Sequence, residues 1–309
     1  MNKKGIVVYL AVTFGLGWVL TFVLLHLGLI NLTEPSLVHN VMFVLLLWTP
    51  AAGAVAARMA APESAPSFSV WPVPWGAAFR LGVLVVAVYA VIHILPALAG
   101  WSETQWQMGA LVNVLEEQMP FAMTPEARRV APAVAMVLLP LLGLFLGMTV
   151  YAVLGFGNEL GWRGSLLPRL TALGWHPILA SAVTGLLWGV WFLPLIYAWY
   201  ARQEQLGEMF GFAARFLLVA VAVGVLLGRV FRARAHLGLC SIAFGCWAAQ
   251  LQSGWSYLFP MGKPGWTGAF GVVAIVLWAL AAIAAPRVLG GGGAGGADGA
   301  RASGKADGA

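Results

Sequence analysis

Asn158, Glu159 and Arg163 lead the run Asn158-Glu159-Leu160-Gly161-Trp162-Arg163-Gly164-Ser165-Leu166-Leu167-Pro168-Arg169-Leu170, which follows a long apolar segment. Ionisable groups at membrane depth are costly and persist where they pair or work. Acid first and base four residues later is the favourable orientation for an ion pair on one helix face. Such a pair, with added hydrogen bonds, is the usual way to lodge charge at a semi-buried helix end. The structural reading of Glu159 and Arg163 is a lock between that helix end and its neighbours. The chemical reading has Glu159 touching substrate or moving a proton. Asn158 is a neutral carboxamide and cannot take a proton from water near pH 7.

The elements that must position these residues follow from composition. The chain is 61% hydrophobic and 9% charged, which places it among polytopic membrane proteins. A spanning helix needs about 20 apolar residues. Suitable stretches run over 5–30, 37–59, 77–99, 126–155, 176–199, 211–231, 237–252 and 267–285, the seventh being the shortest. The expected fold class is an all-α polytopic membrane protein of about eight transmembrane helices, in the cell membrane. One transmembrane domain covers 1–289, and a Gly/Ala-rich tail over 290–309 lacks the apolar surface to offset its ordering entropy, so it should be disordered. The apolar core behind Lys3 and Lys4 is too long for a secretion signal and reads as a first span.

Charge sets the orientation. Lys3, Lys4, Arg58, Arg80, Arg163, Arg169, Arg229, Arg232, Arg234, Arg287, Arg301 and Lys305 fall on one side of an eight-span arrangement. Arg128, Arg129, Arg202, Arg215 and Lys263 fall on the other, with most of the acids. The positive-inside rule then puts both termini in the cytoplasm. No clustered basic face on a soluble module exists, so nucleic acid is not an expected partner; the bilayer is.

Between the spans, Pro62, Pro66, Pro72 and Pro74 mark a linker. Trp106, Leu111, Val114, Leu115 and Met119 recur at nearly helical spacing against Glu103, Glu116 and Glu117, the pattern of an interfacial amphipathic helix. Thr124-Pro125-Glu126 reads as an N-cap, a proline at the first helical position and a first-turn acid. Cys240 and Cys246 are the only cysteines and point in different directions on one helix, as small apolar filler. His26, His39, His93, His176 and His236 are isolated in sequence, and no spacing suggests a metal or other cofactor.

The opening run resembles the first motif of the CPBP intramembrane proteases, the family that includes the CAAX prenyl protease type 2 enzymes and Abi proteins. That motif opens with two glutamates; here the first is Asn158. Gly185-Leu186-Leu187-Trp188-Gly189-Val190-Trp191-Phe192-Leu193-Pro194 resembles the second motif, with Phe192 where the family has histidine. Cys240-Ser241-Ile242-Ala243-Phe244-Gly245 is similar to the third, with Ser241 and Gly245 in place of a histidine and an asparagine. The family-like core spans about 125–252.

The resemblance implies peptide hydrolysis in a membrane cavity open to the cytoplasm. Its first glutamate and second-motif histidine activate water, its third-motif pair holds the oxyanion, and its second glutamate and arginine support the helix. Carried over, the water-activating pair becomes Asn158 and Phe192, and the oxyanion pair Ser241 and Gly245, while Glu159 and Arg163 survive. Trp162, Trp188 and Trp191 are expected to line the cavity. Losing one oxyanion donor costs about 100- to 1000-fold, and losing a general base about 100- to 10,000-fold. Glu159 lies about 100° around the helix from Asn158 and is expected to face elsewhere. Pro194 should kink the fifth span.

The leading functional reading is a catalytically impaired pseudoprotease that binds a peptide, a lipidated tail or a partner helix. One alternative is an active endopeptidase using Glu159 in a rearranged site. The other is a transporter-like protein, suggested by a charged pair at membrane depth.

Overall fold

The computed structural model describes residues 3–30, 37–62, 68–118, 124–260 and 262–290. The expected disordered tail beyond Gly290, Pro66 of the linker and Met119 of the amphipathic pattern lie outside these residues.

The described residues are helical almost throughout. In order come α1 (Lys3–His26), α2 (Leu37–Leu47), α3 (Thr49–Ala60), α4 (Trp75–Leu98), α5 (Gly109–Gln118) and α6 (Pro125–Leu146). A π turn over Gly147–Tyr151, α7 (Ala152–Leu154), α8 (Phe156–Gly161), a second π turn over Trp162–Leu166 and α9 (Leu167–Ala172) continue α6 as one long run. Then follow α10 (Pro177–Trp191), α11 (Leu193–Arg202), α12 (Leu206–Arg234), α13 (Leu237–Leu251), α14 (Trp255–Leu258) and α15 (Val272–Val288). The Thr124 hydroxyl accepts from the Ala127 amide at 3.2 Å, so α6 starts at the expected cap with Pro125 in its first turn.

Among the described residues six segments are long and apolar enough to cross a membrane: Lys3–His26, Asn40–Ala60, Trp75–Leu98, Pro125–Leu154, Pro177–Arg202 and Leu206–Arg234. This is the architecture of a multi-pass membrane protein. The other two expected spans are shorter, α13 at 15 residues and α15 at 17. Burial explains α13: nearly every residue from Leu237 to Gln250 is covered by other helices, so its length is not set by lipid. The last helix starts at Val272 rather than 267, because turns through Gly265 and Gly268, both at positive φ, precede it. The fifth span breaks where Pro194 denies its N–H to the ladder: α10 stops at Trp191, Phe192 is the joint, and α11 restarts.

Small residues set the packing. A side chain on Gly185 of α10 would meet the Ala220 carbonyl and Gly224 Cα of α12. On α1 the buried positions Gly5, Tyr9, Thr13, Gly17 and Thr21 recur every four residues, and that stripe faces α3 and the motif helices. Contacts also sort the charges into two ends. At one end Arg80 donates to the Val288 carbonyl at 2.7 Å, Arg234 reaches the Leu289 and Gly290 carbonyls, and Arg169 abuts Gly5. At the other, Lys263 packs on Trp101 and Trp266, and Arg215 lies beside Gly265.

Candidate functional site

The motif run occupies α8, the π turn after it and the start of α9, and its leading polar side chains are sealed in. Asn158, Glu159 and Arg163 are each 0% exposed. Arg163 Nη1 donates to Glu159 Oε1 at 2.8 Å, the i,i+4 bridge the spacing predicts. Arg163 therefore belongs to the core and not to the loop charges that set orientation, a correction to the sequence count. Its guanidinium carbon sits 5.8 Å from the centre of the Trp188 ring, whose π face adds to the pairing.

Asn158 and Glu159 also meet, contrary to the expectation from their 100° offset. Trp162 Nε1 donates to Asn158 Oδ1 at 3.0 Å, while Asn158 Nδ2 donates to Glu159 Oε1 at 3.2 Å. The Asn158–Trp162 and Glu159–Arg163 pairs run side by side toward the helix C-terminus. The amide cross-links them because Glu159 has enough torsions to bring its carboxylate sideways. A carboxamide suits this position: it offers an acceptor to one neighbour and a donor to the other. A carboxylate could not donate to Glu159 and would add a second anion beside a single guanidinium.

Other elements hold this ladder. The Tyr9 and Phe14 rings of α1 meet Trp162 edge-on at 5.6 and 6.3 Å. A side chain on Gly161 would strike Pro50 of α3. Trp48, at the break between α2 and α3, donates to the Leu154 carbonyl at 3.0 Å, where the helix steps from α7 to α8. A strap over residues 68–72 fixes the start of α13. Ser69 accepts from the Leu237 amide and donates to the Ala235 carbonyl, each at 2.8 Å. His236 accepts from the Leu239 amide through Nδ1 and donates to the Pro72 carbonyl through Nε2, which makes it a cap. His93 is buried, donating to the Tyr89 carbonyl and stacking on Trp255.

The second motif reaches the ladder through Trp188. Its ring lies 5.7 Å from Phe192, 5.9 Å from Phe244 and 5.4 Å from Trp247. Phe192 is half-buried at the α10–α11 joint, edge-on to Trp191 at 4.8 Å and to Phe216 at 5.9 Å. Trp162, Trp188 and Trp191 are at most 2% exposed, and the Trp191 carbonyl accepts from Trp18 Nε1.

The third motif divides. Ser241 is 3% exposed, and its hydroxyl has no partner among the described residues. Gly245 lies against the backbone of the other helix: a side chain there would meet the Gly147 carbonyl and, at 2.6 Å, the Ala152 amide nitrogen. Ala152 precedes Asn158 by six residues, roughly 9 Å along a helix. Gly245 is thus a contact between helices. Gly147 meets the Cys246 backbone in the same way, and the π turn over 147–151 sits at this approach.

Several buried polar atoms of the site have no hydrogen-bond partner among the described residues: Glu159 Oε2, Arg163 Nε and Nη2, Trp188 Nε1 and Ser241 Oγ. The contributions of Tyr9 and Phe14 are absent from the motif reading; for α1 the signal was its four-residue stripe. Among the described residues no three His, Cys, Asp or Glu side chains gather as metal ligands would.

No curated protein matches the chain. A family model does match, over residues 138–250, a segment that contains all three motif stretches. The motif-bearing segment is similar to the Type II CAAX prenyl endopeptidase Rce1-like family.

Proposed function

We propose that this multi-pass, Rce1-like protein is a catalytically silent member of its family, a pseudoprotease of the cell membrane with both termini in the cytoplasm. The observation that carries this reading is the state of Asn158. Its amide is committed at both ends, to Trp162 and to Glu159, and it has no basic lone pair. Phe192, at the family's histidine position, offers neither acid nor base, and its ring is engaged by Trp188, Trp191 and Phe216. No pair remains to activate water.

Binding is a separate matter, and the unpartnered atoms bear on it. Buried polar groups ordinarily find partners. Arg163, Trp188 and Ser241 supply donors and Glu159 supplies an acceptor, so the carbonyls and amides of a polypeptide segment would meet both kinds. In this reading Trp162, Trp188 and Trp191 surround a peptide, a lipidated tail or a partner helix that is held and not cut. The alternative, an endopeptidase built on Glu159, draws support from its Oε2, a buried carboxylate oxygen without a hydrogen bond among the described residues. The purified full chain in proteoliposomes, given a fluorescent farnesylated peptide, separates the two. Retention of uncut peptide is expected; cleavage that disappears in Glu159→Gln would establish the alternative.

A further inference from the structure

At the opposite end of the long helical run from the motif, the protein forms an open groove of ≈ 570 Å³. That volume is within the roughly 300–1,000 Å³ of small-ligand sites. One wall is Trp106 and Gln107, and the other is the first three turns of α6. The helix side is graded. Arg128, Pro132 and Met136 stand four apart in one row, and Arg129 and Ala133 stand four apart in the next. Each row passes from a guanidinium to a small residue, and the first ends on a thioether. The small pair Pro132 and Ala133 makes the notch, and the arginines stand at its polar mouth.

The opposing wall is fixed in place. Met108 is 1% exposed and packs with Leu111, Leu258 and Phe259. The Gln105 amide donates to the Leu258 carbonyl and the Met108 amide to the Gln105 carbonyl, each at 2.8 Å. Trp106 is held on this anchored turn with its indole 66% exposed. Glu116 takes Nη2 of Arg128, whereas Arg129 forms no ion pair with any described residue. Beyond the notch α6 presents Val137, Leu138 and Leu141, all exposed and apolar.

We infer that this groove binds one anionic glycerophospholipid of the leaflet at that end. Its phosphate lies between Arg128 and Arg129, and its acyl chain follows Pro132, Ala133 and Met136 down the helix. The fit is one of chemistry. Guanidinium forks match phosphate oxygens, indoles favour the interface, and only an amphiphile satisfies a groove charged at one end and apolar at the other. A free phosphate would use the mouth alone.

Native mass spectrometry of the full chain in a neutral detergent, with added phosphatidylglycerol, tests this. One retained lipid per chain is expected, weakened about fivefold in Arg129→Gln, the effect of removing one basic contact to an anionic headgroup. Arg129→Lys should recover part of the loss, and Ala133→Trp, which fills the notch and leaves both charges, should also release the lipid. Phosphatidylcholine and diacylglycerol should be retained less. Equal retention of phosphatidylglycerol by wild type, Arg129→Gln and Ala133→Trp would overturn the proposal. So would displacement of the lipid by equimolar inorganic phosphate, which would mark a plain anion site.

Discussion

Among the described residues two glutamate–arginine pairs sit in opposite surroundings. Glu159–Arg163 is 0% exposed on both sides, joined to Asn158 and Trp162 and faced by Trp188. Glu116–Arg128 links α5 to α6 with side chains 40% and 48% exposed. The chemistry of the partners is the same, but the surrounding medium is not. In water an ion pair contributes about 0–1 kcal/mol, because solvent and salt screen it. In a dry core the pair is weak evidence of stability, yet removing one partner strands a charge and costs about 3–5 kcal/mol. The buried pair is thus a commitment of the fold, and the exposed one is adjustable.

The largest expected effect is therefore at the core. Glu159→Ala leaves Arg163 buried without an anion and should lower stability by about 3–5 kcal/mol, read as lost folded yield and a lower Tm in detergent. Retention of wild-type Tm would show that the pair is dispensable and that the contrast with Glu116–Arg128 is false. Next comes Gly245→Asn, which drives a side chain into the Gly147 carbonyl and the Ala152 amide. It should cost about 1–3 kcal/mol by overpacking. Accordingly, a restoration with Asn158→Glu, Phe192→His and Ser241→His should yield more folded protein than one that adds Gly245→Asn; equal yields would show that the helices can part there.

Asn158→Ala should be of similar or smaller size, about 1–3 kcal/mol, because it orphans the buried Trp162 N–H. The blue-shifted emission expected of a buried indole complicates that readout, so Tm is the measure. Smallest is the exposed pair. A double-mutant cycle over Glu116→Ala and Arg128→Ala should return a coupling of about 0–1 kcal/mol that shrinks toward zero at 1 M salt. A salt-independent coupling above 2 kcal/mol would erase the distinction between the two ends.

Much of this arrangement is legible in residue order. Thr124 and Pro125 announce the start of α6, Pro194 announces the break at Phe192, and the spacing of Glu159 and Arg163 predicts their bridge. These are local signals, read within one or two turns. Less accessible is what depends on another segment. Nothing near Gly245 says that its missing side chain admits the backbone at Gly147 and Ala152. The burial of α13 on all sides depends on the helices around it, so hydropathy alone reads it as one more span. The Asn158–Glu159 contact escapes helical-wheel reasoning because a wheel fixes Cβ directions and leaves side-chain reach free. The third motif shows the same limit: Ser241 and Gly245 stand one turn apart, yet Gly245 is consumed in helix packing.

If the motif run keeps the helix end in place and no longer supports hydrolysis, a farnesylated CAAX-type peptide should survive the purified chain in bilayers. Turnover normalised to folded protein should not exceed the protein-free rate, in wild type and Glu159→Gln alike. Turnover in wild type that Glu159→Gln abolishes at equal folded yield would show instead that Glu159 does chemistry.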